Sequence, residues 1–181
     1  MKVSTLVWVA GAGLGLGLIS SFFMTFGAQQ KNTFILTSAA FRQGQALPPL
    51  YSLCKGENRS PALTWRNAPP ATKSFALICD DPDAPQGTWV HWVVYNLPAK
   101  VRQLPESVDI RQLDGLSGLN SYNNMRYDGP CPPSGTHRYF FKVYALDTML
   151  DLASGASAQE LTAKMAGHIL AQAEIMGTFT A

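Results

Sequence analysis

Hydrophobic and polar positions divide the chain into one unbroken apolar stretch, several short runs with a period of two, and one run at helical spacing. The apolar stretch comes first: from Val3 to Ala28 every residue is apolar, Gly, Ser or Thr. Short β-branched and aromatic runs follow at Asn32 to Ser38, Leu63 to Trp65, Phe75 to Cys79, Trp89 to Asn96 and His137 to Leu146, and they predict strands. In the fourth run, alternation puts Trp89, His91, Val93 and Tyr95 on one face and Val90, Trp92 and Val94 on the other. In the fifth it puts His137, Tyr139, Phe141 and Val143 opposite Arg138, Phe140, Lys142 and Tyr144. Ser157-Ala158-Gln159-Glu160 is a capping box, and Leu161, Met165, Ile169 and Ala173 along one face predict a helix that contains His168 as an ordinary helical residue. Glu174 to Thr180 closes the chain as a short strand. Residues 98 to 136 are rich in Gly, Pro, Asn and Ser without a sustained period, which predicts a long connection of the kind that usually carries function. Strand after strand with one late helix points to a mainly β, antiparallel sandwich with an appended C-terminal helix, not to a βαβ repeat.

The amino terminus changes the picture of where this domain works. Lys2 before the apolar stretch, with small residues at Gly27 and Ala28, matches a secretory signal peptide over residues 1–28; its length also approaches the roughly 20 residues that span a bilayer, so an uncleaved anchor is the alternative. Either way, residues 29–181 are expected to form one exported domain, periplasmic or secreted, or anchored to the inner membrane and facing the periplasm. With 181 residues and a formal charge of +2, the chain shows no basic stripe with interleaved aromatics, so no nucleic-acid partner is expected. Of the three cysteines, Cys79 ends an apolar run and reads as a small buried hydrophobe. Cys54 and Cys131 lie in loop-like contexts and form the expected disulfide of an oxidising compartment.

The chemistry-bearing residues gather at two strand beginnings. Asp80-Asp81-Pro82-Asp83-Ala84-Pro85 joins two predicted strands, and its prolines stiffen the turn that carries Asp81 and Asp83. His91 follows that loop, while His137 and Tyr139 follow the Pro-rich stretch from Gly129 to Gly135. Two readings of the histidines stay open. Each is a residue at the edge of the core satisfied by an Asp, or both surround a small anion pocket. In that pocket imidazole N–H, Tyr O–H and the backbone N–H groups of a Gly-containing loop bind phosphate, sulfate or carboxylate, while an Asp orients a histidine. A protonated histidine beside an anion would make binding strengthen as pH falls through roughly 6 to 7. No HExxH, CxxC, nucleotide fingerprint, phosphate loop or GxSxG elbow occurs, so neither metal nor cofactor is expected. An Asp81 and His91 couple acting as general base is the remaining catalytic arrangement.

Asp81-Pro82-Asp83-Ala84-Pro85, then Trp89-Val90-His91-Trp92, then Gly129-Pro130 with Gly135-Thr136-His137-Arg138-Tyr139 resemble the signature of the phosphatidylethanolamine-binding protein family, also called the Raf kinase inhibitor protein family. The likeness covers nearly all of residues 32 to 180. Cys54-Lys55-Gly56-Glu57-Asn58, Ser60-Pro61 and Gly167-His168-Ile169-Leu170 are similar to its bacterial exported branch. The resemblance implies two antiparallel sheets in Greek-key order with a small cavity for phosphate-like groups. It further implies Asp81 and His91 as the pocket Asp and His, Gly129 as the donor of a backbone N–H, Pro130 as a wall, His137 as a second histidine and Tyr139 as the phenol that bonds the anion. On this likeness the chain is expected to be a non-enzymatic, lipid-headgroup-like anion binder that modulates a kinase or protease partner through residues 98 to 136. The alternative is a hydrolase or lyase of small phosphoesters built on Asp81 and His91.

Overall fold

The computed structural model describes residues 33–181; the expected leader over residues 1–28 and the predicted strand start at Asn32 lie outside them. In chain order the strands are β1 Ile35–Ser38, β2 Leu63–Arg66, β3 Ser74–Asp81, β4 Trp89–Pro98, β5 Gln103–Leu104, β6 Leu116–Ser117, β7 Thr136–Leu146 and, after the helix α1 (Ala158–Met165), β8 Ile169–Thr180. They pair antiparallel into a sheet ordered β1-β2-β5 and a sheet ordered β6-β4-β3-β7-β8. The predicted long connection holds β5, β6 and a 3-10 turn at Ile110–Leu113.

Every residue of β3 is buried. The reason is its central place in the large sheet, with apolar material on both faces. Phe75, Leu77 and Cys79 point into a core shared with Leu36 of β1, Trp65 of β2 and Tyr139, Phe141 and Val143 of β7. Ala76 and Ile78 point the other way, into a second core that Leu161 and Met165 of α1 cover. Each fully buried Leu or Phe contributes about 1.5–3 kcal/mol relative to exposure, and the stretch from Phe75 to Cys79 accordingly reads as a continuous apolar run.

Two expectations are corrected here. In β4 the predicted face of Trp89, His91, Val93 and Tyr95 is broken, because Asp80 pairs with Val90 and Cys79 with Trp92, leaving His91 as the extra residue of a β-bulge. The bulge reverses the alternation: Val93 and Tyr95 face the helix side, while Trp92 and Val94 join the inter-sheet core. The helix is also shorter than its spacing suggests, and the strand expected after it begins earlier. Its capping box forms as expected, with Ser157 Oγ accepting from Glu160 N. It stops at Met165, and Gly167 at φ +82° turns the chain. Ile169 and Ala173 therefore belong to β8, which pairs along nearly the whole of β7. His168 lies in the intervening turn, with its Nδ1 2.8 Å from Asp147 Oδ1.

Candidate functional site

The strand ends and the connection border an open-mouthed cavity of about 290 Å³. Asp81 from β3, Trp89 and His91 from β4, and His137 and Tyr139 from β7 line it, together with Ala84 to Gln86, Tyr122 and Cys131 to Pro133. β3 and β7 supply their residues by plain alternation, since Asp81 continues the face of Cys79 and His137 that of Tyr139 and Phe141. β4 supplies His91 through the bulge, which turns the imidazole toward the Tyr139 ring, 5.2 Å between centroids at 71°.

Asp81 is buried, and it orients His137, not His91: Oδ2 lies 2.7 Å from His137 Nδ1, and Oδ1 accepts from Asp83 N at 2.8 Å. The expected Asp81 and His91 couple is thus replaced by Asp81 and His137. Asp83 stands outside the cavity lining. Arg138 clamps it with a guanidinium nitrogen 2.7 Å from Oδ1 and Nε 2.9 Å from Oδ2, and that hydrogen-bonded ion pair holds its carboxyl down at about 2. The clamp ties the proline loop to the start of β7.

His91 is 2% exposed. Its Nδ1 lies 2.5 Å from the Asp128 carbonyl oxygen, which can only accept, so Nδ1 carries a hydrogen. The Asp128 amide returns a hydrogen bond to the His91 carbonyl at 3.1 Å. Burial lowers the imidazole pKa against the opposing pull of the Asp128 carbonyl and the Asp81 carboxylate. The protonation window therefore lies below the ordinary imidazole range that the sequence suggested.

Tyr139 is 1% exposed. Burial and the neighbouring Asp81 carboxylate push its phenol above the ordinary range, although the two groups do not meet hydrogen-bond geometry. Its hydroxyl, His91 Nε2 and Trp89 Nε1 are buried atoms without a hydrogen-bond partner among the described residues. Tyr122 packs edge-on against Trp89 at 5.2 Å and reaches the His91 ring at 6.2 Å.

Gly129 and Pro130 lie outside the lining, and the amide expected to serve an anion is occupied. Gly129 N donates to Asn58 Oδ1 at 2.7 Å. Glycine is required there for a different reason, since a Cβ would fall 1.9 Å from the Tyr51 carbonyl oxygen. The Pro130 carbonyl accepts from Ser52 Oγ at 2.7 Å. Cys54 and Cys131 form the disulfide, with Cα atoms 5.4 Å apart, and Cys79 is a buried free thiol whose pKa burial raises. The bridge thereby fixes Cys131, Pro132 and Pro133 as the cavity wall that Pro130 was expected to be.

The sequence does not single out Asp128, yet it organises this side of the site. Its carboxylate accepts from Asn58 at 3.1 Å, Asn120 at 2.9 Å and Asn124 at 2.7 Å. Burial opposes its ionisation, but the amide donors outweigh it and hold the carboxyl below its usual range. The local signal was the recurrence of Asn and Asp in a Gly-rich loop, which fits turn-forming residues equally well. Among the described residues, no group of three or more His, Cys, Asp or Glu could hold a metal.

Comparison with known proteins places this geometry in context. The sequence profile described as phosphatidylethanolamine-binding protein matches residues 37–180. The chain is 48% identical over 147 residues to a UPF0098 protein of Methanothermobacter thermautotrophicus, covering 80% of this chain and 97% of the relative. It is 46% identical over 147 residues to a UPF0098 protein of Aquifex aeolicus, covering 78% and 85%. Its structure is similar to that of a putative phosphatidylethanolamine-binding protein homologue from Chlamydia trachomatis, with a TM-score of 0.78 and 41% identity over 83% of this chain and 99% of that one. It is also similar to E. coli YbcL, described as a new member of the mammalian family, with a TM-score of 0.76 and 35% identity over 82% and 98%.

Proposed function

The chain belongs to the phosphatidylethanolamine-binding protein family, and on that premise we propose that it is an exported, non-enzymatic binding protein whose cavity holds a small oxyanion, free or as part of a headgroup. The observation that carries this reading is that His91, Tyr139 and Trp89, which line one cavity, each hold a buried polar atom, Nε2, Oη and Nε1, without a hydrogen-bond partner among the described residues. Leaving such atoms unpaired costs about 1–3 kcal/mol each, so a small polar ligand gains by satisfying them. The remaining lining of prolines and aromatic rings suits exclusion of water around that ligand. Export accords with the apolar stretch after Lys2 and with a disulfide, which persists in oxidising compartments. A kinase or protease partner reached through residues 98 to 136 is the regulatory role this reading allows.

Calorimetric titration with inorganic phosphate tests the proposal. His91→Ala and Tyr139→Phe each remove one polar contact and are expected to weaken binding about ten- to a hundredfold. His168→Ala, whose side chain pairs with Asp147 outside the cavity, is expected to leave affinity unchanged. Equal affinity in wild type and His91→Ala would contradict the reading.

The Asp81 and His137 pair favours a second reading, a phosphoester hydrolase with His137 as general base. Turnover of a small phosphoester that Asp81→Asn abolishes would establish it in place of the first.

A further inference from the structure

The hydrogen-bonding capacity of the cavity is asymmetric, and that asymmetry decides which oxyanion can enter. The Asp128 carbonyl accepts and cannot donate, so the hydrogen of a neutral His91 imidazole sits on Nδ1. Its Nε2, on a residue 2% exposed, is then a lone pair with no donor among the described residues to meet it. His137 is set the same way round, its Nδ1 directed at the Asp81 carboxylate. The groups that face His91 are Asp81 from β3, His137 and Tyr139 from β7, and Tyr122 and Asp128 from the connection, and the charge of Asp80 from β3 also reaches it. Three are aspartates, and among the described residues none places a hydrogen on Nε2.

Building on the oxyanion reading, we infer that the site selects a tetrahedral oxyanion that carries its own proton, with His91 Nε2 accepting a hydrogen bond from the ligand's P–OH. Tyr139 Oη and Trp89 Nε1 donate to the ligand's unprotonated oxygens. Sulfate has the same shape as phosphate but no hydrogen near neutral pH, so it sets a lone pair against a lone pair. A phosphodiester headgroup lacks a P–OH for the same reason. Either can bind only with uptake of a proton onto Nε2, and burial of the imidazole opposes that uptake. Selectivity therefore resides in the carbonyl behind His91 as much as in the cavity, and Asp128 acts as a positioning residue.

The experiment is calorimetric titration of the folded protein with inorganic phosphate, sulfate and glycerophosphoethanolamine at about pH 7, in two buffers of different ionisation enthalpy, repeated about two pH units lower. Phosphate is expected to bind at least about tenfold more tightly than sulfate or the diester at the higher pH, the gap produced by one mismatched charged hydrogen bond. Sulfate is expected to take up close to one proton per ion bound, phosphate fewer, and the gap to narrow at the lower pH. His91→Gln, whose side-chain amide can donate where Nε2 could not, is expected to lose the discrimination; because proton uptake is read on the wild type, the test does not depend on that variant folding. Sulfate binding as tightly as phosphate at about pH 7 without proton uptake would overturn the selectivity while leaving the oxyanion site standing. Binding of no anion at either pH would overturn both.

Discussion

At residue 91 an imidazole is buried with one nitrogen committed to a carbonyl and the other unpaired, and this has a cost that pH reveals. Burial lowers the pKa of folded His91 below the roughly 6.5 of an unfolded histidine. Above that value the residue is neutral in both states and its contribution to stability is fully present. As pH falls through about 6.5 the unfolded chain takes up the proton first, so stability declines until the lower folded pKa is reached. The urea midpoint is expected to fall as pH drops below about 6.5, and to fall less steeply in His91→Gln. Parallel profiles for the two proteins would show that the histidine is not desolvated. Tyr139 adds nothing to this slope, because its phenol stays protonated throughout the range.

At the scale of elements, the loops around the cavity are held by long-range covalent and ionic ties. The disulfide joins residues separated by 77 positions. Its loss in a Cys54→Ser, Cys131→Ser variant is expected to reduce stability by about 2–4 kcal/mol, measured by denaturant unfolding. Labelling the unreduced protein in denaturant should modify Cys79 alone, whereas three labelled thiols would contradict the bridge. How well each element could be read from sequence depended on how regular it was. β7 alternates without interruption, so spacing alone puts His137 and Tyr139 on the same face. In β4 one extra residue at His91 inverted the alternation, and a bulge leaves no trace in the order of apolar and polar residues. Leu161 and Met165 shared a helical face as expected. Ile169 and Ala173 continued that spacing by coincidence, while their actual period of two was masked by alanines. The Gly129 amide could not be assigned locally, because its acceptor, Asn58, is 71 residues away.

At the scale of the whole molecule, a central strand buried on both faces carries the cavity at one end. The two cores on either side of β3 hold the strands that carry Asp81, His91, His137 and Tyr139, while the connecting loops complete the cavity wall. The proposed export would place such a site in contact with envelope or external ligands. Mass spectrometry of the protein from a native envelope fraction is expected to show a mature chain beginning near Ala28 or Gln29. An intact Met1 in the membrane pellet would mean an anchor instead.

The central claim is that the unpaired atoms of the cavity meet an oxyanion, and a crystal grown without phosphate or sulfate and then soaked in phosphate tests it most directly. The account predicts tetrahedral density in the cavity, with oxygens at hydrogen-bond distance, about 2.6–3.1 Å, from His91 Nε2 and Tyr139 Oη. A cavity that holds only water while phosphate sits on surface lysines or arginines would contradict it.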